Sequence, residues 1–222
     1  MRPADGAARA GGAPLREGLR HVYWLGGGSG AGKSTSARRT AAQHGLHVYD
    51  TDVVMRDHAS RSTPEEVPYL TRFSAMDMDE RWVNQSPERM LETFHWFRGE
   101  GFGLIVEDLL RLPSNTGVIA EGFRLLPHLV KPLLSSRDRA VWLLPTPEFR
   151  RAAFASRGTA GDISRKTNDP ERALRNLLER DRMFTDRLVE ETKRLELHAI
   201  EVNSLMLEQE LAGRVSEAFG LG

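Results

Sequence analysis

The stretch Gly27-Gly28-Ser29-Gly30-Ala31-Gly32-Lys33-Ser34 constrains this chain more than any other. It matches the pattern Gly, any four, Gly, Lys, Ser/Thr at every fixed position. The apolar run Val22-Tyr23-Trp24-Leu25 leads into it, and the Ala-rich polar stretch Thr35 to Gln43 leads out. Strand, glycine loop and helix make a cradle for phosphate groups. Glycines let successive backbone N–H groups turn inward, and the helix adds the positive end of its dipole. In such a loop Gly28, Ser29, Gly30, Ala31, Gly32 and Thr35 surround the phosphates. Lys33 reaches their outer oxygens, and the Ser34 hydroxyl ligates Mg2+.

Composition narrows the partners. There are 31 basic and 31 acidic residues, so the formal charge is zero, which counts against nucleic acid as the bulk partner. Only Lys33, Lys131, Lys166 and Lys193 are lysines, so a lysine inside the loop is a pointed choice among basic residues that are mostly arginine. There is no cysteine, which excludes disulfides, thiolate metal sites and a cysteine nucleophile. No apolar run nears the ~20 residues of a membrane span. A cytoplasmic protein is expected, with no membrane partner.

Met1 to Gly18 is rich in Ala, Gly, Arg and Pro and lacks periodicity, which predicts a disordered leader. The rest, 19–222, reads as one domain in which strands alternate with helices, an α/β pattern with a mainly parallel sheet. Strands are expected at His21–Leu25, Leu46–Tyr49, Thr116–Ala120, Arg139–Leu144 and His198–Val202. Helices are expected at Lys33–His44, Val53–Ser60, Pro87–Phe97, Pro127–Leu134, Thr146–Ala155, Pro170–Leu195 and Leu205–Phe219, with one more reaching Leu112. Thr63 to Met78 reads as irregular. The region 54–112 is too long for a simple crossover and is expected to cover a substrate. The loop 156–169 is expected to act as a lid.

Further chemistry sits where strands end, the side on which open α/β sheets hold ligands. Asp50-Thr51-Asp52 follows the second strand. Two carboxylates two residues apart on an extended chain point the same way. One, Asp50, is placed to hold the metal through water, and the other, Asp52, to take a proton from an attacking hydroxyl. Glu121-Gly122 closes the third strand, with Glu121 as a second acid beside the metal and Gly122 allowing a ligand close. Arg124, and Arg56 on the preceding helix, are further candidates on the acceptor side. Arg150, Arg151, Arg157, Arg165 and Lys166 flank the lid, where a cation can stabilise phosphoryl charge. The spacing leaves open whether Arg180 or Arg182 faces the site. The histidines show no metal-ligand spacing.

These residues together resemble the P-loop kinases of small molecules, a group that includes shikimate, gluconate, nucleoside and nucleotide kinases and antibiotic phosphotransferases. The Asp-x-Asp is most similar to shikimate kinase, and the Glu-Gly to uridine kinase. The resemblance covers the nucleotide half and barely the substrate half. It lacks the triple glycine of the first type and the lid cysteines of adenylate kinase. It implies five parallel strands in order 2-3-1-4-5 with helices on both faces and a lid. It also implies ATP and Mg2+ as cofactors, a small-molecule acceptor, and a monomer or homodimer. Asp52 would face the acceptor hydroxyl, Asp50 would sit near the metal, Arg157 would act from the lid, and Arg151, Asn203 and Ser204 would contact the nucleotide. The expected activity is transfer of the γ-phosphate to a hydroxyl of a metabolite, nucleoside or antibiotic. A regulatory ATPase with a protein partner and a polynucleotide or RNA kinase are the competing readings.

Overall fold

The computed structural model describes residues 13–157 and 165–222, with side chains described for 13–154 and 165–222. Five strands, β1 (Val22–Gly27), β2 (His47–Asp50), β3 (Val118–Glu121), β4 (Ala140–Pro145) and β5 (His198–Val202), form one parallel sheet in the order β2-β3-β1-β4-β5. Every pairing is parallel. The central strand β1 and its neighbour β4 are buried along their whole length, as strands covered on both faces must be.

Alternation along β1 assigns the two faces. Val22 and Trp24 belong to one core with Ala120 and Trp142, and Tyr23 and Leu25 to the other with Ile119, Val141 and Leu143. Helix α1 (Lys33–His44) packs on the second face with α10 (Glu208–Ala218), which contributes Leu211 and Val215, joined by Phe219 at its C-cap. The first face is covered by the long α9 (Pro170–Arg194) through Leu177, Phe184 and Leu188, and by the region before β3. Among the described residues no helix is long and apolar enough to cross a membrane.

The region before β3 is more helical than its sequence suggests. After α2 (Met55–Arg61) come α3 (Pro68–Ala75), α4 (Met78–Trp82), α5 (Pro87–Thr93) and α6 (Phe102–Arg111). The irregular stretch expected from Thr63 to Met78 therefore contains a helix. Pro68 occupies its first turn, where the missing N–H costs nothing. Asp77 and Glu80 form a reciprocal capping box that starts α4. The helix expected over Pro87–Phe97 stops at Thr93, and a 3-10 turn, His95–Arg98, follows. Pro127–Val130 forms the short α7, continued by a 3-10 turn, and Pro147–Arg157 forms α8.

The expected leader is a correction in part. Residues 13–18 are helical, Leu15 packs against the core and Leu19 is buried. The Arg16 guanidinium also donates to the Pro132 carbonyl at 2.8 Å. Residues 1–12 lie outside the described residues, as does 158–164 of the expected lid. The described end of that loop is anchored: Asn168 N–H donates to Asp79 Oδ1 at 2.8 Å, and its side-chain amide bonds the other oxygen.

Candidate functional site

The glycine loop joins β1 to α1 at the carboxyl edge of the sheet. Gly32 takes a left-handed conformation, φ 81°, as the N-terminal cap of α1, so the positive end of that helix opens on the loop. The Lys33 side chain is buried and folds back across the loop, donating from Nζ to the Gly28 carbonyl at 2.8 Å.

Asp50 and Glu121 are paired residues of β2 and β3, so two acids enter the same edge beside the loop. Glu121 is buried. Burial raises its carboxyl above the ordinary value, the Ser34 hydroxyl donating to it and the Lys33 ammonium oppose that, and Asp50 and Asp52 add to it. Asp52 is exposed to the cleft but ringed by protein. Desolvation raises its carboxyl, Lys33 lowers it, Asp50 raises it and Arg124 lowers it. The loop and three carboxylates therefore form one electrostatic unit.

The geometry of the acidic pair differs from the expectation. β2 ends at Asp50 and the chain turns, with Asp50 Oδ1 accepting from the N–H of Asp52 at 2.9 Å and of Val53 at 3.4 Å. Asp50 thus serves as a turn cap through one oxygen while standing next to Glu121. Gly122 also has another reason than ligand approach. Its φ is 148°, and a Cβ there would lie 1.8 Å from Thr51 Oγ1. The missing side chain lets the Asp-Thr-Asp turn press against the end of β3.

Arg124 does not reach into the cleft. It is buried and donates to the Thr51 carbonyl at 3.2 Å, to Gly101 O at 3.3 Å and to His58 Nδ1 at 3.1 Å. His58 in turn presents Nε2 to Asp108 Oδ2 at 2.7 Å, which Tyr49 meets at 2.9 Å, while Arg61 meets Asp108 Oδ1 at 2.9 Å. Since Arg124 donates to Nδ1, the His58 proton is on Nε2. Burial acts to raise the Asp108 carboxyl, but bonds from His58, Arg61 and Tyr49 bring it down to about 2. A chain of polar contacts thus ties the turn bearing Asp52 to α2 and α6. Its members are scattered over the sequence, with no motif to announce them.

Two cavities flank the glycine loop. One, of about 400 Å3, contains Ser29 to Ser34, Asp52 and a wall of aromatic rings. The other, of about 390 Å3, contains Thr35, Ser36, Phe149, Ser204 and Met206. Gly30 and Gly32 line both. Ser204 shares this cavity with the loop, while Asn203 faces away, its Oδ1 accepting from Leu205 N–H at 3.0 Å.

The remaining arginines divide. Arg56, Arg165 and Lys166 are exposed, and Arg151 lines a surface depression with Arg175 and Arg182 on the other side of α8 from Phe149 and Ala152. The Arg157 side chain lies outside the described residues. Arg150 is buried under the loop, donating to Thr185 Oγ1 and, at 3.4 Å, to Pro145 O, so it braces the fold there. Arg182 is exposed between Glu179 and Asp186. Arg180 is the one of that pair that lines the cleft. Its position, and the aromatic wall, had only a weak sequence signal: aromatic residues between 73 and 97 and one arginine among many on α9.

Among the described residues, no three His, Asp or Glu side chains cluster closely enough to cage a metal. The set does fit Mg2+, which keeps several waters and takes one or two carboxylates together with phosphate oxygens. Ser34, Glu121 and Asp50 are the residues that would supply such a partial shell. No protein-family model matches the chain, and a search of curated proteins finds no relative.

Proposed function

We propose that the chain is an ATP- and Mg2+-dependent P-loop kinase that phosphorylates a hydroxyl of a small molecule. One observation carries this reading: the glycine loop is the shared wall of two cavities, one of which holds a carboxylate, Asp52, beside Lys33. A nucleotide laid over the loop from the Ser204 side directs its terminal phosphate toward the Asp52 side.

Mg2+, held by Ser34 with Asp50 and Glu121 through water, would neutralise charge on the phosphate oxygens. Lys33 would leave the Gly28 carbonyl for those oxygens. Asp52 would orient the acceptor hydroxyl and receive its proton as the oxygen bonds to the γ-phosphorus. The bond from that phosphorus to the bridging oxygen breaks, and ADP leaves. The raised Asp52 carboxyl makes it a better base than an ordinary aspartate. Arg124, His58 and Asp108 hold its turn in place.

The test is ADP formation with and without a pool of small alcohols. Acceptor-dependent ADP together with a phosphorylated product supports the reading. Saturable hydrolysis that no acceptor changes would indicate a regulatory ATPase instead.

A further inference from the structure

The cavity on the Asp52 side is walled by Phe73, Trp82, Phe94, Trp96, Phe97 and Phe123. These rings pack edge to face: Phe73 on Phe94 at 5.4 Å and on Trp82 at 5.7 Å, and Trp96 on Phe123 at 5.5 Å. Phe73, Trp96 and Phe123 are only partly buried and line the cavity, with Arg81 over the Phe73 ring at 4.8 Å. A site for a polyol or a sugar acid needs polar groups at many points. This wall offers apolar faces.

Arg180 is the second, independent observation. Its guanidinium is buried in the same wall, 4.5 Å from the ring centre of Phe94, 5.2 Å from Phe97 and 5.3 Å from Trp82. Nε and Nη2 donate to Asp181 Oδ1 at 2.9 and 2.6 Å. Among the described residues Nη1 has no hydrogen-bond partner. A buried donor left unmet is costly, and rings alone compensate in part. Asp181 already engages this guanidinium through Nε and Nη2, so the remaining donor, Nη1, calls for one acceptor atom.

Resting on the kinase reading, we infer that the phosphoryl acceptor is a planar aromatic alcohol that also carries a carbonyl oxygen or ring nitrogen. Its ring stacks among Phe73, Trp96 and Phe123, its acceptor atom meets Arg180, and its hydroxyl reaches Asp52. Apolar walls with a few placed polar groups are the usual make-up of a site for such a ligand.

The full chain is tested with thymidine, adenosine and benzyl alcohol against sorbitol and gluconate. Trp82 and Trp96 lie in the wall, so ligand binding is read directly as tryptophan quenching, with and without ATP and Mg2+. Phosphorylation is read separately. The expected result is saturable quenching and turnover with the ring alcohols and neither with the polyols. Phe73→Ala should weaken ring binding about tenfold. Arg180→Lys should raise KM for thymidine at least tenfold and weaken binding of benzyl alcohol, which has no second acceptor, by clearly less. Circular dichroism confirms that each variant folds. Should a variant unfold, the wild-type ring-against-polyol comparison still decides. Turnover of gluconate or sorbitol in preference to the ring alcohols overturns the inference and leaves the kinase reading standing. Absence of quenching by every ring alcohol overturns it as well. Quenching by ring alcohols with no nucleotide binding supports the site and overturns the kinase reading alone.

Discussion

Thr51 N–H donates to the Glu121 carbonyl at 3.0 Å, continuing the pairing of Asp50 with Glu121 one residue past the end of β2. Gly122 lies directly beneath, where any side chain would meet Thr51 Oγ1 at 1.8 Å. Gly122→Ala is expected to destabilise the protein by about 3 kcal/mol, from overpacking and from a φ that L-residues avoid. Urea denaturation measures it. Adding Thr51→Ala removes the atom struck and should recover part of the loss. A single variant as stable as wild type would contradict the packing described.

Lys33→Ala is expected to abolish ATP binding. A ligand at a hundredfold excess over its Kd stabilises by about 2.7 kcal/mol, a rise in Tm of roughly 5–10 °C for a chain of this size. Differential scanning fluorimetry with Mg2+ and ATP should show that rise in wild type and none in the variant.

Asp52→Asn should keep the ATP-induced rise in Tm and lose phosphoryl transfer by roughly a hundredfold or more, the usual contribution of a positioned base. Because the Asp52 carboxyl is raised in the free protein, kcat/KM should fall with acidity at a pH above the ordinary carboxylate range. A variant that transfers at the wild-type rate would remove Asp52 from the mechanism.

Asp108→Asn tests the contacts behind that carboxylate. It removes the charge that meets His58, Arg61 and Tyr49 and should cost about 2 kcal/mol of stability. Asp108 is held below its unfolded value, so this contribution is present above pH ~4 and is lost as pH falls toward about 2. The wild-type and variant urea midpoints should therefore converge in acid.

His95 predicts a second pH dependence. It is buried among Phe73, Phe94 and Trp96, and neither ring nitrogen has a partner among the described residues. Desolvation, and then the charges of Arg124, Arg180 and Arg81, push it down to about 3. Below pH ~6.5 the unfolded chain takes up a proton that the folded one refuses. Stability should fall by about 1.4 kcal/mol per pH unit from there toward 3. His95→Phe should flatten the dependence of Tm on pH between 6.5 and 4.

The glycine loop and the strand ends were legible because their physics is local. A strand, Gly27 to Ser34 and a helix starting at Lys33 need no distant partner to be read, and Asp52 and Glu121 follow apolar runs. The strand order came from resemblance. What sequence misplaced depends on tertiary partners. Arg124 looks like a substrate ligand until the Thr51, Gly101 and His58 acceptors fold around it. Pro68 looks like a breaker until it stands in the first turn of α3. Arg180 differs from its neighbours on α9 only by the direction it faces.

The position of β1 in the middle of the sheet bears on how the protein matures. β1 precedes its partners in the chain, and β3 and β4 emerge only with Val118–Glu121 and Ala140–Pro145. The loop itself depends on this insertion, since the Gly28 N–H is held by the Leu143 carbonyl at 3.0 Å. Pairings this remote along the chain close slowly. A ribosome-bound nascent chain ending before β4 is therefore without a shaped phosphate cradle. On the proposed kinase reading, nucleotide would enter as a late ligand that selects chains whose middle strand has been threaded into place.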